Sequence, residues 1–292
     1  MPRPNLRTPH RRRRRRRLHV KAVCRFVRHR WRTTRRFTKA ILKSPPTTRA
    51  IITLSGILFV WLGVNWAYHA INKPTEVFFP LDRALNKTPA QTWKKYGPLF
   101  RQHSTEIITP ELLAALAQIE GAGNPVARTY WRWQWSWNPL EWYRPASSAV
   151  GMYQITEGTF LEAKRYCIHD HKVVEDGPWH DMDSCWFNRL YSRVLPNHAI
   201  EMTAAILDRH VAMAMKVRRS PSTTLRKKQD LAAVIHLCGP GVGRDFARRG
   251  FRPSSRQRCG DHDVKVYLTK VNLMKRHFSL LAVGEREAQQ TR

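Results

Sequence analysis

One carboxylate stands out in the segment ELLAALAQIEGAGNP, residues 111–125. Leu113 and Leu116 recur at helical spacing and define an apolar stripe, and Glu120 lies on the same stripe. Burying an unpaired carboxylate costs solvation energy. We therefore expect this side chain to be paired, to hold a proton or to take part in catalysis.

The chemistry that suits Glu120 is general acid catalysis. Cleaving a glycosidic bond requires a carboxyl group that protonates the leaving oxygen, and both an apolar pocket and a helix C-terminus favour a carboxyl group that holds its proton. A retaining glycosidase also needs a second carboxylate about 5–5.5 Å away, and none is evident in the neighbouring motifs. The structural alternative is that Glu120 forms an ion pair with Arg128 or Arg132.

Four segments occur in the order and rough spacing that are typical of one enzyme family. They are LLAALAQIEGAGNP, SSAVGMYQIT, LAAVIHLCGPGVG and VYLTKV. Together they resemble the catalytic domain of soluble-type lytic transglycosylases, which are lysozyme-like enzymes that cleave murein. The resemblance covers residues 88–281 and implies that Glu120 is the sole catalytic acid and base.

The resemblance also implies which residues line the glycan cleft. The family's Gly-Leu-Met-Gln segment is similar to residues 151–154, and its late tyrosine is matched near the end of the domain. The family's Tyr-Asn-Ala-Gly-Pro-Gly segment corresponds to residues 236–241. The substrate-binding residues expected from these matches are Gly151, Met152, Tyr153, Gln154, His236 and Tyr267.

The implied reaction needs one carboxylate. The glutamate protonates the bond between N-acetylmuramic acid and N-acetylglucosamine, and then accepts the proton of the muramoyl C6 hydroxyl, which attacks C1 and closes a 1,6-anhydro ring. Three departures from the family pattern would weaken positioning: Gly121 replaces a serine, and His236 and Leu237 replace tyrosine and asparagine. The alternatives are therefore a catalytically weak peptidoglycan-binding scaffold with the same fold, or a hydrolytic lysozyme.

Aromatic residues crowd the segment TYWRWQWSWNPLEWYRP between the first two motifs. Four tryptophans alternate from Trp131 to Trp137, and a period of two places side chains on one face of an extended chain. We assign Trp133 and Trp135 to stacking on sugar rings. The alternatives are a hairpin that packs on the domain and an aromatic patch at a membrane interface.

The charge-free run from Ala50 to Tyr68 predicts one transmembrane helix at residues 50–70, because its length is close to the ~20 residues that cross a bilayer. A cleaved signal peptide is the rival interpretation, but the leader is long and no A-x-A site follows. The positive-inside rule then places residues 1–49 in the cytoplasm. We expect a single-pass protein of a bacterial inner membrane with a periplasmic domain.

Positive charge dominates the chain, which has a formal net charge of +31. Residues 1–50 contain nineteen Lys or Arg residues and no Asp or Glu. We expect this arm to set topology and to touch anionic lipid; a nucleic-acid-binding tail is the weaker alternative, because no aromatic platform or recognisable fold accompanies the charge. The expected partners are peptidoglycan strands and the inner membrane, with an envelope machine as a further candidate.

Four cysteines lie in the expected exported domain, and an even number there predicts disulfides. Pairing Cys167 with Cys185 and Cys238 with Cys259 closes the shortest loops. The histidines between the first two cysteines match no metal signature. We expect neither a metal nor a cofactor.

Helical patterns dominate after the apolar run. The sequence predicts a mostly α, lysozyme-like domain at residues 88–281, preceded by a linker at 71–87 and followed by a disordered tail at 282–292. Thr88-Pro89 and Thr109-Pro110 are helix starts, and Gly97-Pro98 is a candidate break in the first of these helices. Further helices are predicted at residues 156–168, 199–217, 229–237 and 264–281.

Overall fold

The computed structural model describes residues 39, 41–78, 83–181, 184–218 and 223–290. Most of the predicted basic arm and Cys24 lie outside these described residues. The chain divides into two compact units, residues 1–64 and 65–292. The second unit therefore begins inside the predicted transmembrane segment.

A long apolar helix, α1 (Pro46–Asn72), spans 27 residues. It is long and apolar enough to cross a membrane, and no other helix in the described ranges meets that test. Most of its side chains are exposed, as expected for a helix that faces lipid. The prediction of one candidate span is confirmed, with slightly wider bounds than the sequence suggested.

Within the described residues six further helices follow α1, so the mostly α prediction is confirmed. They are α2 (Pro89–Gln102), α3 (Pro110–Gly121), α4 (Glu157–Ala163), α5 (Pro196–Arg218), α6 (Leu225–Arg248) and α7 (Val264–Gln290). Both predicted starts are correct. Thr88 and Gln91 form a capping box at α2, and Pro110 occupies the first turn of α3 after Thr109.

In the part of the chain that the structure describes, three short antiparallel hairpins lie between the helices. They are β1 (Trp131–Trp133) with β2 (Tyr143–Pro145), β3 (Tyr166–His169) with β4 (Lys172–Glu175), and β5 (Arg258–Cys259) with β6 (His262–Asp263). The linker contains two short 3-10 helices, at Pro74–Phe78 and Arg83–Leu85.

Helix α3 lies at the centre of the core. Every residue from Leu112 to Ala117 is fully buried, because α3 packs against α2 and α7 on different sides. A helix that is apolar around its whole circumference is stable only when its neighbours cover it in this way. Both ends of the helix reach the domain surface, and the last turn carries Glu120.

Two predicted helix bounds are corrected where other contacts override helix propensity. The helix predicted at 156–168 ends at Ala163, because β3 pairs with β4 and Cys167 is tied to Cys185. The break expected at Gly97-Pro98 does not occur: α2 continues to Gln102, and its buried aromatic side chains hold it in the core.

The other two corrections lengthen helices. Helix α6 begins at Leu225, before the predicted 229, and its two helical parts meet at the non-helical Gly239, where φ is 83°, close to the predicted end at 237. The predicted disorder of the tail is wrong for residues 282–290, since α7 continues to Gln290. Glu285 ties this extension to α2 by accepting bonds from Trp93 Nε1 and Arg101 Nη1, each at 3.0 Å.

Both predicted disulfides are present. Cys167 is bonded to Cys185 and Cys238 to Cys259. The first ties β3 to the loop before α5, and the second ties α6 to the β5–β6 hairpin. Disulfides of this kind form in oxidising compartments outside the cytoplasm.

Candidate active site

Glu120 lies in the last turn of α3, where the chain leaves the core. The helix ends at Gly121, and the left-handed φ of 48° at the following residue, Ala122, turns the chain away. The Glu120 side chain is 18% exposed. A carboxyl group at this depth is reachable by a substrate while most of its surroundings are protein.

The Tyr267 hydroxyl is the closest polar partner of Glu120. It donates to Glu120 Oε1 over 2.5 Å from the first turn of α7. Burial, and then the charge of Glu120, raise the pKa of Tyr267 well above its ordinary value. Tyr267 is therefore a neutral hydrogen-bond donor that fixes one carboxyl oxygen.

His236 of α6 lies near the same carboxyl oxygen as the Tyr267 hydroxyl. Its Nε2 is 3.9 Å from Glu120 Oε1, and its side chain is 13% exposed. Burial lowers the pKa of His236, although the charge of Glu120 and a bond with the Tyr153 backbone oppose this. The imidazole is therefore neutral at neutral pH.

The turn at residues 151–154 packs directly on the end of α3. A Cβ atom on Gly121 would lie only 2.7 Å from Met152 Cα and 2.9 Å from its carbonyl oxygen. Such a contact excludes any side chain unless the backbone moves. The glycine that departs from the family's serine is thus required by this close approach of two backbones.

Gln154 ends the turn with a positive φ of 48°. Its Nε2 donates to the carbonyl oxygens of Gly151, at 2.9 Å, and Ala127, at 3.2 Å. Gly151 itself has a φ of 81°. These bonds hold the amide group of Gln154 in one orientation at the edge of a cavity.

Four of the six substrate contacts expected from the motif matches are buried: Gly151, Met152, Tyr153 and Tyr267. Met152 and Tyr153 are both 0% exposed, so their side chains support the turn from inside the core. The Tyr153 hydroxyl has no hydrogen-bond partner among the described residues, and burial raises its pKa well above the ordinary value. A direct glycan contact through either side chain does not fit this burial.

A cavity of about 240 Å³ opens beside His236 between α4, α5 and α6. Its polar lining includes Gln154, Glu162, Thr203 and His210. The sequence did not single out Glu162 and His210, which are 48 residues apart and meet at 2.9 Å between Oε1 and Nε2. No local sequence pattern predicts such a pair, because the contact depends on how α4 packs against α5.

Trp133 and Trp135 belong to the β1–β2 hairpin and are 65% and 84% exposed. The strand is only three residues long, so the expected single face of four tryptophans does not form. Trp131 instead turns inward and donates through Nε1 to Glu76 at 2.8 Å. Trp135 stacks on Trp142, with ring centroids 5.9 Å apart.

Arg128, one of the two partners considered for Glu120, pairs with Glu76 instead at 2.9 Å. Glu120 is left with two partners that are neutral at neutral pH. In the described part of the chain, no group of three or more His, Cys, Asp or Glu side chains could hold a metal ion.

The fold and the site define a mostly helical domain with one partly exposed carboxyl group, a tyrosine donor and a neutral imidazole. Such a group can exchange a proton with a bound substrate. No protein family, curated protein or solved structure matches this chain.

Proposed function

We propose that the chain is a membrane-anchored peptidoglycan lytic transglycosylase with a lysozyme-like fold. The observation that carries the proposal is that all four similar segments meet at the end of α3: Tyr267 and His236 lie against the Glu120 carboxyl group, and Met152 packs on the neighbouring Gly121. Glu120 comes from the first segment, Met152 from the second, His236 from the third and Tyr267 from the fourth. Residues that lie up to 147 positions apart surround Glu120.

The geometry suggests how one carboxyl group performs both proton transfers. Tyr267 donates to Oε1, so we assign both proton transfers to Oε2. Protonated Glu120 gives its proton to the leaving oxygen of the bond between N-acetylmuramic acid and N-acetylglucosamine. The resulting carboxylate then accepts the proton of the C6 hydroxyl, whose oxygen bonds to C1 and closes the 1,6-anhydro ring.

The neutral partners suit both steps. Tyr267 donates a hydrogen bond whether Glu120 is protonated or charged, so the carboxyl group keeps one orientation through the cycle. His236 carries no charge at neutral pH and therefore adds no permanent ion pair that would hold Glu120 in the carboxylate form.

We place the protein in a bacterial inner membrane, with its N-terminus in the cytoplasm and the domain in the periplasm. One helix that can span a membrane and two disulfides in the following domain support this topology. The excess of positive charge suits an anionic wall polymer as substrate. An envelope-spanning machine remains a candidate partner.

A hydrolytic lysozyme is the second candidate, and Glu162 is the observation that favours it. This second carboxylate lines the same cavity as His236. Inverting glycosidases use a second carboxylate to activate water, and Glu162 is the candidate for that role. The product would then carry a reducing end in place of the anhydro ring.

The test uses the full chain in detergent micelles with purified murein sacculi. We expect soluble muropeptides with 1,6-anhydro ends, identified by mass spectrometry, and none from the Glu120→Gln variant. Retention on sacculi without release by the unaltered chain would reject the enzyme and favour the scaffold.

A further inference from the structure

The proposed reaction does not use the aromatic insertion, which we define as residues 130–145. Three of its tryptophans face outward: Trp133, Trp135 and Trp137 are 65%, 84% and 97% exposed. Single exposed apolar side chains are common, but three exposed tryptophans within five residues make a large apolar patch, which marks an interaction surface. The surroundings of the insertion indicate what covers this patch.

The insertion is bonded to the C-terminal end of α1. Asn65 Nδ2 donates to the Leu140 carbonyl oxygen at 2.6 Å, and His69 Nε2 lies 2.9 Å from the same oxygen. Asn65 is 1% and His69 is 9% exposed on a helix whose other side chains are mostly exposed. The two polar residues thus serve to hold the insertion.

A buried ion cluster fixes the base of the insertion. Glu76 is fully buried and accepts from Arg128 Nη1 at 2.9 Å and from Trp131 Nε1 at 2.8 Å, while Lys73 Nζ lies 3.4 Å away. The ring of Trp131 also packs edge-on against His69, with centroids 5.2 Å apart. The insertion is therefore attached through several bonds and has little freedom to swing away.

The attachment point lies where α1 would leave the bilayer. The charge-free run ends at Tyr68, between the two polar residues that hold Leu140. Trp133 is two residues beyond Trp131 on the same strand, about 7 Å away along an extended chain. Indole rings favour the boundary between lipid and water, and the exposed Arg132 beside them suits anionic headgroups.

We propose that the aromatic insertion is a second membrane contact, in which Trp133, Trp135 and Trp137 enter the headgroup region beside the end of α1. The partner is a phospholipid surface and not the glycan to which the sequence assigned Trp133 and Trp135. The contact holds the domain at a fixed height above the bilayer. It does not depend on the proposed reaction.

The test measures tryptophan fluorescence of the full chain in vesicles of phosphatidylcholine and phosphatidylglycerol, with or without bromine on the upper acyl chain. A variant with all three tryptophans changed to Ser is compared with the unaltered chain. The difference in fluorescence between the two proteins comes from the three tryptophans of the insertion. We expect brominated lipid to quench this fluorescence, and acrylamide in the water to leave it unchanged. Trp61 and Trp66 contribute equally to both proteins.

Trp179→Ser is the matched control, because Trp179 is 69% exposed in the loop closed by the Cys167–Cys185 disulfide. Its fluorescence should be quenched by acrylamide and not by bromine. Trp137→Ser, at the most exposed position, repeats the test without disturbing any buried contact. The proposal is overturned if acrylamide quenches the fluorescence of Trp137 and brominated lipid does not. Protection from acrylamide by added glycan strands, and not by lipid, would show that the insertion binds sugar.

Discussion

Removing the hydroxyl of Tyr267 is the sharpest perturbation of the proposed site. In Tyr267→Phe the ring stays in the core, where Tyr267 is 4% exposed, and only the 2.5 Å bond to Glu120 Oε1 is lost. Glu120 keeps its position at the end of α3, but its carboxyl group can then rotate. The variant therefore separates orientation of the carboxyl group from its presence.

The size of the effect follows from the strength of the bond. A hydrogen bond to a charged group contributes about 1.5–3 kcal/mol, and each 1.36 kcal/mol of barrier corresponds to about a tenfold change in rate. We expect Tyr267→Phe to slow release of muropeptides from sacculi by about 10- to 100-fold. Binding to sacculi should be unchanged, because Tyr267 is buried and its hydroxyl already donates to Glu120.

The matched control is Tyr191→Phe. The Tyr191 hydroxyl donates to Glu201 Oε2 at 2.7 Å, so the same chemical bond is lost at a place that takes no part in the proposed reaction. Tyr191→Phe should lose about as much stability in thermal unfolding as Tyr267→Phe, and it should release muropeptides at the rate of the unaltered chain. The reasoning is refuted if Tyr267→Phe retains the full rate, or if both variants slow release equally.

Three further predictions concern the scaffold of the site. Gly121→Ser should lower the free energy of unfolding by about 1–3 kcal/mol, because its Cβ would lie 2.7 Å from a backbone atom; Gly158→Ser, with open space around it, is the control in thermal denaturation. Replacing both cysteines of either disulfide by Ala should cost about 3 kcal/mol in urea unfolding, since the cysteines are separated by 18 and 21 positions; an unchanged midpoint would contradict this. Burial lowers the pKa of His236 in the folded state. The stability that neutral His236 contributes is therefore fully present above its pKa in the unfolded chain, about 6.5, and is lost as the pH falls below that value. His236→Gln should therefore flatten the loss of stability between about pH 7 and pH 5, and parallel curves for the two proteins would reject that cause.

Local signals predicted the parts of the fold that depend on neighbours in the chain. The start of α3 follows from Thr109 and Pro110, and its burial follows from a continuous apolar run. The disulfide pairing followed from loop length, because short loops are cheaper to close. The position of Glu120 in the last turn of this helix was likewise predicted from the apolar stripe that it continues.

Long-range packing produced what the sequence could not show. Glu162 meets His210 only because α4 packs on α5, and Asn65 reaches Leu140 across 75 residues. The direction of a side chain inside a turn is equally hidden, so the full burial of Met152 was not predicted. Helix propensity also failed at residues 164–168, where a hairpin held by a disulfide was the more stable arrangement.

The most direct test of the central proposal is to digest sacculi with the full chain in water enriched in oxygen-18. If the C6 hydroxyl is the nucleophile, the released muramic ends are lighter than hydrolysis products by one water and contain no oxygen-18. Reducing ends that carry the heavy isotope would show that water attacks C1, and would contradict the assignment of Glu120 as the base that activates the sugar's own hydroxyl.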